Sequence, residues 1–384
     1  MADDFLLCAR WIVPVEPAGA LQNHALAVRS GRIDSLLPIA EARARHADLE
    51  PVELAHHIVL PGLVNAHAHA ARALLRGLSP ERRENAERAL LSAAFVRDGT
   101  LLACAEMLAA GITCFADIYY FPEAALEAAR ACGLRAAHGI LALEAATAYA
   151  SDSADYLRKG LALRDRARED ALAAFSIAPW RAGSLSDATL RKAASLAAEL
   201  DLPVHVSLGE GDVRRLDRLG LLGPGLIALQ QDALSSEDAA LLARHGAWLV
   251  PSGAATPGVN VALRAPVDRL DLFEAMRLSG LAPQAALRAA TLGGASALGL
   301  EARVGSLEPG KAADLIALDA AAPGLLPHHD PVALAARAAG RENVSHVWVA
   351  GRRLVSEGVL QNPPFSRLDT RWDLWQNSMA RAGS

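Results

Sequence analysis

Two histidines separated by a single residue, His67 and His69, are the side chains of this sequence best suited to chemistry. Side chains two apart on a β-strand point to the same face, so both imidazoles would face one point. Neutral imidazoles that converge in this way are ligands for a divalent metal ion. A His-x-His pair alone is weak evidence, but this one follows the turn Pro61-Gly62 at the end of a β-rich segment. This position favours a metal site at the end of the first strand of a barrel.

The segments around the pair predict how it is positioned. Residues 5–13 and 25–33 have strand-like apolar runs, and β character returns at 313–319 and in a predicted hairpin at 347–355. Between about residues 58 and 300, short apolar runs alternate with Ala- and Leu-rich helical stretches, as in a (β/α)8 barrel. We therefore predict an α/β protein: a (β/α)8 barrel, regular or distorted, with a small β-sandwich built from both chain ends.

The predicted domain organisation follows these changes of pattern. It comprises the N-terminal part of the sandwich at 1–57, the barrel at 58–303, the C-terminal part of the sandwich at 304–362 and a terminal helix at 363–384.

Composition excludes several classes of protein. Hydrophobic residues make up 52% and charged residues 21% of the 384, which is typical of a folded globular chain. The net charge of −5 gives no sign of a nucleic-acid or anionic-membrane surface. The four cysteines form no CxxC pair, and the start Met1-Ala2-Asp3-Asp4 lacks the basic residues of a signal peptide. We therefore expect a cytoplasmic protein with free thiols and with neither nucleic acid nor membrane as a partner.

Four long segments resemble one known family. They are LPGLVNAHAHAARALLRGL (60–78), DGTLLACAEMLAAGITCFADIYYFPEA (98–124), RLDRLGLLGPGLIAL (215–229) and VGSLEPGKAADLIALD (304–319). The chain resembles the amidohydrolase superfamily, in particular its chlorohydrolase/deaminase (TRZ/ATZ) branch and, within that, the 5-methylthioadenosine/S-adenosylhomocysteine deaminases. The resemblance covers nearly the whole chain and implies a hydrolase that uses a metal-bound water to expel ammonia from a ring carbon.

The resemblance also implies a set of site residues, of which this chain keeps only part. His67 and His69 match the family's histidine pair, and Glu210 matches the glutamate that shuttles the proton. The fifth-strand ligand histidine is replaced by Ser207 and the sixth-strand one by Gln230.

Two further positions depart from the family. The segment 264–268, Arg-Ala-Pro-Val-Asp, stands where the family has a Thr-Asp-Gly segment with the ligand aspartate. Trp180 stands where the family has a histidine that faces the substrate. Three of the five metal ligands are therefore missing from their places.

Other residues offer partial replacements. His205 shares a strand face with Ser207, His138 lies in the predicted strand 134–143, and Asp268 is near the lost aspartate. For each of these three, a packing or surface role is the more ordinary interpretation. Glu210 could also act as a ligand rather than a proton shuttle, which would give a His₂Glu site with an open position.

Two functional interpretations remain. The favoured one is a non-catalytic relative of the nucleoside deaminases with a degenerate metal site and no tightly bound metal. It would bind a nucleoside-like ligand or act as an oligomer partner, in a homodimer or a hetero-oligomer with a related protein. The alternative is an active C–N hydrolase or deaminase with zinc or iron at a rebuilt site of His67, His69 and Glu210.

Overall fold

The structure, a computed structural model, describes residues 3–266, 268–361 and 369–382. The strands of this part are β1 (Phe5–Ile12), β2 (Leu21–Arg29), β3 (Arg32–Pro38), β4 (Glu50–Pro61), β5 (Leu63–Ala68), β6 (Ile112–Asp117), β7 (Arg135–Ala142), β8 (Ala173–Pro179), β9 (Val204–Leu208), β10 (Leu226–Gln230), β11 (Trp248–Val250), β12 (Asn260–Val261), β13 (Leu315–Asp319), β14 (Val344–Val349), β15 (Arg352–Ser356) and β16 (Val359–Leu360). The α-helices are α1 (Ile39–Arg45), α2 (Pro80–Leu90), α3 (Ala93–Ala109), α4 (Pro122–Cys132), α5 (Ser153–Ala167), α6 (Asp187–Leu200), α7 (Asp212–Arg218), α8 (Ser236–Arg244), α9 (Leu272–Leu278), α10 (Pro283–Ala290), α11 (Leu292–Ala297), α12 (Pro331–Ala333) and α13 (Asp369–Ala382).

The two chain ends form the β-sandwich through one mixed sheet. Its eight strands run in the order β16-β15-β14-β13-β4-β1-β2-β3. The ends meet where β13 pairs antiparallel with β4, which itself pairs parallel with β1. Phe5 and Trp348 stack with ring centroids 5.8 Å apart within the core of this sheet. This arrangement confirms the predicted sandwich from both ends of the sequence.

The middle of the chain forms the predicted barrel. Strands β5 to β12 are parallel and follow one another in sequence order, with at least one helix between each successive pair from β5 to β11. Two hydrogen bonds join the first strand to the segment that follows the last: the Ala66 N–H donates to the Leu263 carbonyl at 2.9 Å, and the Ala265 N–H donates to Asn65 Oδ1 at 3.0 Å. In such a barrel the loops at the carboxyl ends of the strands form the functional face.

A buried ion pair joins the barrel to the sandwich. Arg135, the first residue of β7, donates through Nε and a terminal nitrogen to both carboxylate oxygens of Asp314 at 3.0 and 3.1 Å. Both side chains are at most 4% exposed. Asp314 also accepts a hydrogen bond from the Ala350 N–H in the β14–β15 turn. This pair therefore fixes the orientation of the sandwich on the barrel.

Helix α13 lies within the predicted terminal helix, of which residues 363–368 and 383–384 lie outside the described part. Trp375 and Met379 pack in one apolar cluster with Phe95 of α3, and the Trp375 Nε1–H donates to Asp98. No helix in the described ranges is long and apolar enough to cross a membrane. The bounds of the four predicted segments stay predictions.

Candidate functional site

The histidine pair lies at the carboxyl end of the first barrel strand. His67 is near the end of β5, and His69 follows that strand directly. Their ring centroids are 4.7 Å apart with planes at 78°. A third imidazole, that of His205 on β9, lies 5.0 Å from the His67 ring. The structure therefore brings together three histidines, two of which the sequence proposed as ligands.

Hydrogen bonds define which ring nitrogens are available. The Ile118 carbonyl can only accept, so the His69 Nδ1–H donates to it at 2.8 Å and leaves a lone pair on Nε2. His67 Nδ1 lies 3.0 Å from His205 Nε2, so one of these two nitrogens donates to the other. His67 Nε2 is buried and has no partner among the described residues. The two histidines thus offer a lone pair on His69 Nε2 and an unsatisfied nitrogen, His67 Nε2.

Burial keeps these imidazoles uncharged. It lowers the pKa of His69 to about 3 and that of His205 to about 3. Burial also lowers the pKa of His67 well below its usual value. The positive charges of Arg72 and Arg264 lower the pKa of both His67 and His69 further. The site at neutral pH therefore consists of neutral rings in the positive field of two guanidinium groups.

The remaining donors do not fit a divalent metal ion. Ser207 is 8% exposed, and its hydroxyl makes no hydrogen bond to a described residue. Gln230 ends β10, and its Oε1 is buried without a partner in the same part of the chain. Both are neutral oxygen donors, whereas zinc favours imidazole, thiolate and carboxylate.

Charge opposes a metal ion at the same place. In the ranges described, no three or more His, Cys, Asp or Glu side chains are grouped so as to hold a metal. The positive charge of Arg264 lowers the pKa of both histidines, and the same repulsion disfavours a metal cation beside them. The histidine pair suits a metal, but the full donor set does not.

Glu210 lies in the turn between β9 and α7 and is exposed. It makes no hydrogen bond to any described residue and is not grouped with His67 and His69 as a metal ligand. Its roles as proton shuttle or substitute ligand stay predictions.

The other candidates have ordinary surroundings. Asp268 is 60% exposed and is paired with Arg83 at 2.7 Å. His138 is buried in the barrel near Phe175, with ring centroids 6.1 Å apart. These placements agree with a surface role for Asp268 and a core role for His138.

An aromatic layer covers the histidine pair. Trp180 directly follows β8, and its ring lies parallel to that of His69, with centroids 5.0 Å apart and an angle of 8° between the planes. Tyr120 stacks on Trp180 at 5.2 Å. A residue noted in the sequence only as a departure from the family pattern is therefore a central part of the site.

Sequence reasoning missed one titratable residue at this face. Asp117 ends β6 and accepts a hydrogen bond from the Ala70 N–H at 2.9 Å. Burial raises the pKa of this carboxyl to about 7. Its position at a strand end was a signal that could have identified it.

Two cavities open at the carboxyl ends of the strands. One, of about 480 Å³, is lined by Arg181, Ser207, Asp212 and Asp232 among others. The other, of about 250 Å³, is lined by Ser252, Arg264, Asp268 and their neighbours. The barrel mouth therefore retains space for a small molecule.

A parallel barrel with a histidine pair at the end of its first strand is typical of the barrel hydrolases. A sequence profile of the amidohydrolase family matches residues 58–272 and 266–354, and the chain belongs to this family.

Similar proteins place it among relatives of nucleoside deaminases. A 5-methylthioadenosine/S-adenosylhomocysteine deaminase of Teredinibacter turnerae is 35% identical, over 92% of each chain. The crystal structure of an adenosine deaminase from Xanthomonas campestris with bound zinc is 32% identical, covers 99% of both chains and has a TM-score of 0.91. The zinc complex of the atrazine chlorohydrolase TrzN from Arthrobacter aurescens shares the fold, with 18% identity and a TM-score of 0.86.

These similarities bear on the two functional interpretations. One relative is named as a deaminase, and the structure of another deaminase contains zinc. Both findings support the active, metal-dependent alternative more directly than the non-catalytic interpretation. They give no support to the expectation that metal is absent. The function of this chain therefore depends on the residues of its own site as well as on its family.

Proposed function

We propose that this chain binds a nucleoside-like small molecule at the barrel mouth and does not perform the metal-dependent deamination for which its relatives are named. Descent predicts the class of ligand, whereas chemistry depends on the residues of the site itself. The mouth retains cavities, an aromatic layer at Trp180 and neutral imidazoles, which suit a flat heterocycle.

The observation that carries this proposal is the positive charge of Arg264 near the histidine pair. Its charge lowers the pKa of both His67 and His69, so it acts on the place where relatives would carry a cation. Ser207 and Gln230 occupy the two strand ends that would supply further ligands. Without a bound metal, water keeps a pKa of about 15.7 and is a poor nucleophile at neutral pH.

A second candidate function is supported by a specific observation. His69 holds its Nε2 lone pair free through the hydrogen bond to Ile118, and metal-ligating histidines are typically fixed in this way. With zinc bound in a relative of 32% identity, this supports a metal-dependent deaminase. It would require Glu210 to turn inward from its exposed position.

Assembly and location belong to the proposal as well. We infer a homodimer, or a hetero-oligomer with a related protein, and a cytoplasmic location. Light scattering of the purified chain tests the first of these inferences.

The experiment is a combined binding and turnover assay. Purified chain is dialysed against methylthioadenosine and adenosine to measure binding, and ultraviolet absorbance follows conversion of the ring amine. We expect binding with turnover far below about 1 s⁻¹, an ordinary enzyme rate.

Turnover near that rate would overturn the proposal if it disappears in Glu210→Gln but persists in Glu237→Gln. Glu237 serves as a matched control because it is a surface glutamate, 76% exposed, on α8.

A further inference from the structure

Arg264 is a charged side chain without a partner at the functional face. It follows Leu263, which closes the barrel on β5, and it is only partly exposed. It makes no hydrogen bond or ion pair to any residue in the described ranges. Arg72 and Arg83, by contrast, are bound to Glu87 at 2.9 Å and to Asp268 at 2.7 Å. Arg264 is therefore a guanidinium whose donors are unused.

The cavity beside Arg264 has one guanidinium and one carboxylate in its lining. It has a volume of about 250 Å³ and lies between the loop after β11 and the segment after β12. Its lining includes Ser252, Arg264, Asp268 and Leu278. The carboxylate of Asp268 is bound at 2.7 Å by Arg83, which does not itself line the cavity. The guanidinium of Arg264 therefore has no bound counter-charge among the lining residues.

Burial makes an unpaired guanidinium unfavourable. Desolvation lowers the pKa of Arg264 from its ordinary value, although a guanidinium stays protonated in proteins. A partly buried charge with no counter-charge loses solvation and gains nothing in return. A ligand that supplies the counter-charge would regain that energy, and the planar donors of arginine match carboxylate and phosphate oxygens two at a time.

We propose that Arg264 anchors an anionic group, a carboxylate or a phosphate, of the small molecule bound at the barrel mouth. The inference rests on the proposed ligand-binding function and names the ligand's chemistry. The ligand would be a nucleoside-like compound that carries an acidic substituent, with the anion in the cavity of Arg264 and Ser252.

Calorimetric titration of the whole chain tests the inference with two pairs of compounds. Adenosine and AMP differ by a phosphate, and methylthioadenosine and S-adenosylhomocysteine differ by an amino-acid group with its carboxylate. A charge-assisted contact predicts that one charged member binds at least about tenfold more tightly than its uncharged partner. A difference between adenosine and AMP would identify the group as a phosphate. A difference between methylthioadenosine and S-adenosylhomocysteine would identify it as a carboxylate.

Variants assign the difference to Arg264. Arg264→Leu should abolish the preference, and Arg264→Lys should keep part of it, because lysine keeps the charge but not the two-pronged geometry. Arg168→Leu is the matched control, since Arg168 is a surface arginine, 73% exposed. Thermal unfolding of each variant shows that it is folded.

Equal binding within both pairs, unchanged in Arg264→Leu, would overturn the anion inference and leave the proposed nucleoside binding intact. Deamination of the uncharged compounds together with such equal binding would overturn both. A preference that survives Arg264→Leu would move the anion site away from Arg264 and also contradict the inference.

Discussion

The ring of Trp180 lies parallel to the imidazole of His69, with centroids 5.0 Å apart and an angle of 8° between the two planes. The same indole stacks on Tyr120 from the β6–α4 loop. An aromatic side chain that follows β8 therefore fixes the histidine that follows β5. Trp180 makes this contact from a position where the resemblance implied a histidine that faces the substrate.

Removal of this indole should weaken the barrel mouth. We expect Trp180→Ala to lower the free energy of unfolding by about 2 kcal/mol, from lost partial burial and lost ring contacts. Trp180→Phe should cost less, because it keeps an aromatic ring against His69. Urea unfolding measures both, and a loss below about 0.5 kcal/mol in Trp180→Ala would show that the stack contributes little.

The buried histidine His138 should make stability depend on pH. Burial lowers its pKa to about 4, and both of its ring nitrogens lack a partner among the described residues. Since the unfolded histidine has a pKa of about 6.5, the unfolded state takes up the proton first as pH falls. Above pH 6.5 the ring is neutral in both states, and His138 does not make the free energy of unfolding depend on pH. As the pH falls from 6.5 to about 4, protonation of the unfolded state lowers the free energy of unfolding.

His138→Leu should remove this dependence. Because the ring makes no hydrogen bond to a described residue, we expect little change at pH 7.5. At pH 5 the variant should gain about 2 kcal/mol relative to the unsubstituted protein, from the difference between the two pKa values. Urea unfolding at the two pH values checks this. A gain that is equal at pH 5 and pH 7.5 would exclude titration of His138 as the cause.

Much of the fold could be predicted from the sequence because local signals agreed with the packing. The sequence run Ile112–Asp117 forms β6, and α4 ends before Gly133, whose φ of 72° few other residues adopt readily. The hairpin predicted at 347–355 is formed by β14 and β15, which turn at Ala350 and Gly351. These features depend on neighbouring residues, which a sequence displays directly.

The site was less predictable because it depends on residues far apart in the chain. The contact of His67 with His205 spans 138 positions, and the stack of Trp180 on His69 joins two loops. The resemblance implied that Arg264 stands near the place of a family residue, but not that its guanidinium has no partner among the described residues. Such facts follow from tertiary packing, which spacing along the chain does not give.

The ion pair between barrel and sandwich should be essential for stability. Arg135→Met would leave the carboxylate of Asp314 buried with only its backbone donor. We expect a loss of about 3–5 kcal/mol in the free energy of unfolding, the usual result of leaving a buried charge unpaired. Arg130→Met is a control on a more exposed pair with Asp170 and should cost less than about 1 kcal/mol. Equal effects would contradict the special role of Arg135.

Replacement of the two strand-end residues should restore metal binding but not catalysis. Ser207→His with Gln230→His would present four imidazoles, which is a good zinc site. Deamination should still lag, because Arg264 and Pro266 remain where the resemblance implies an aspartate ligand, and misplacement by 1 Å can cost on the order of 100-fold in rate. Zinc uptake and the ultraviolet assay measure the two effects. Activity typical of an enzyme in the double variant would show that the segment 264–268 is harmless.

We propose that the mouth of this barrel, with its incomplete ligand set and the guanidinium of Arg264, holds no stoichiometric metal. The zinc and iron content of the unsubstituted protein, purified with zinc present and dialysed before elemental analysis, tests this proposal. We expect far less than one metal ion per chain, because two imidazoles near a positive charge bind metal weakly. About one zinc or iron per chain that is lost in His67→Ala would contradict the proposal and support the metal-dependent alternative.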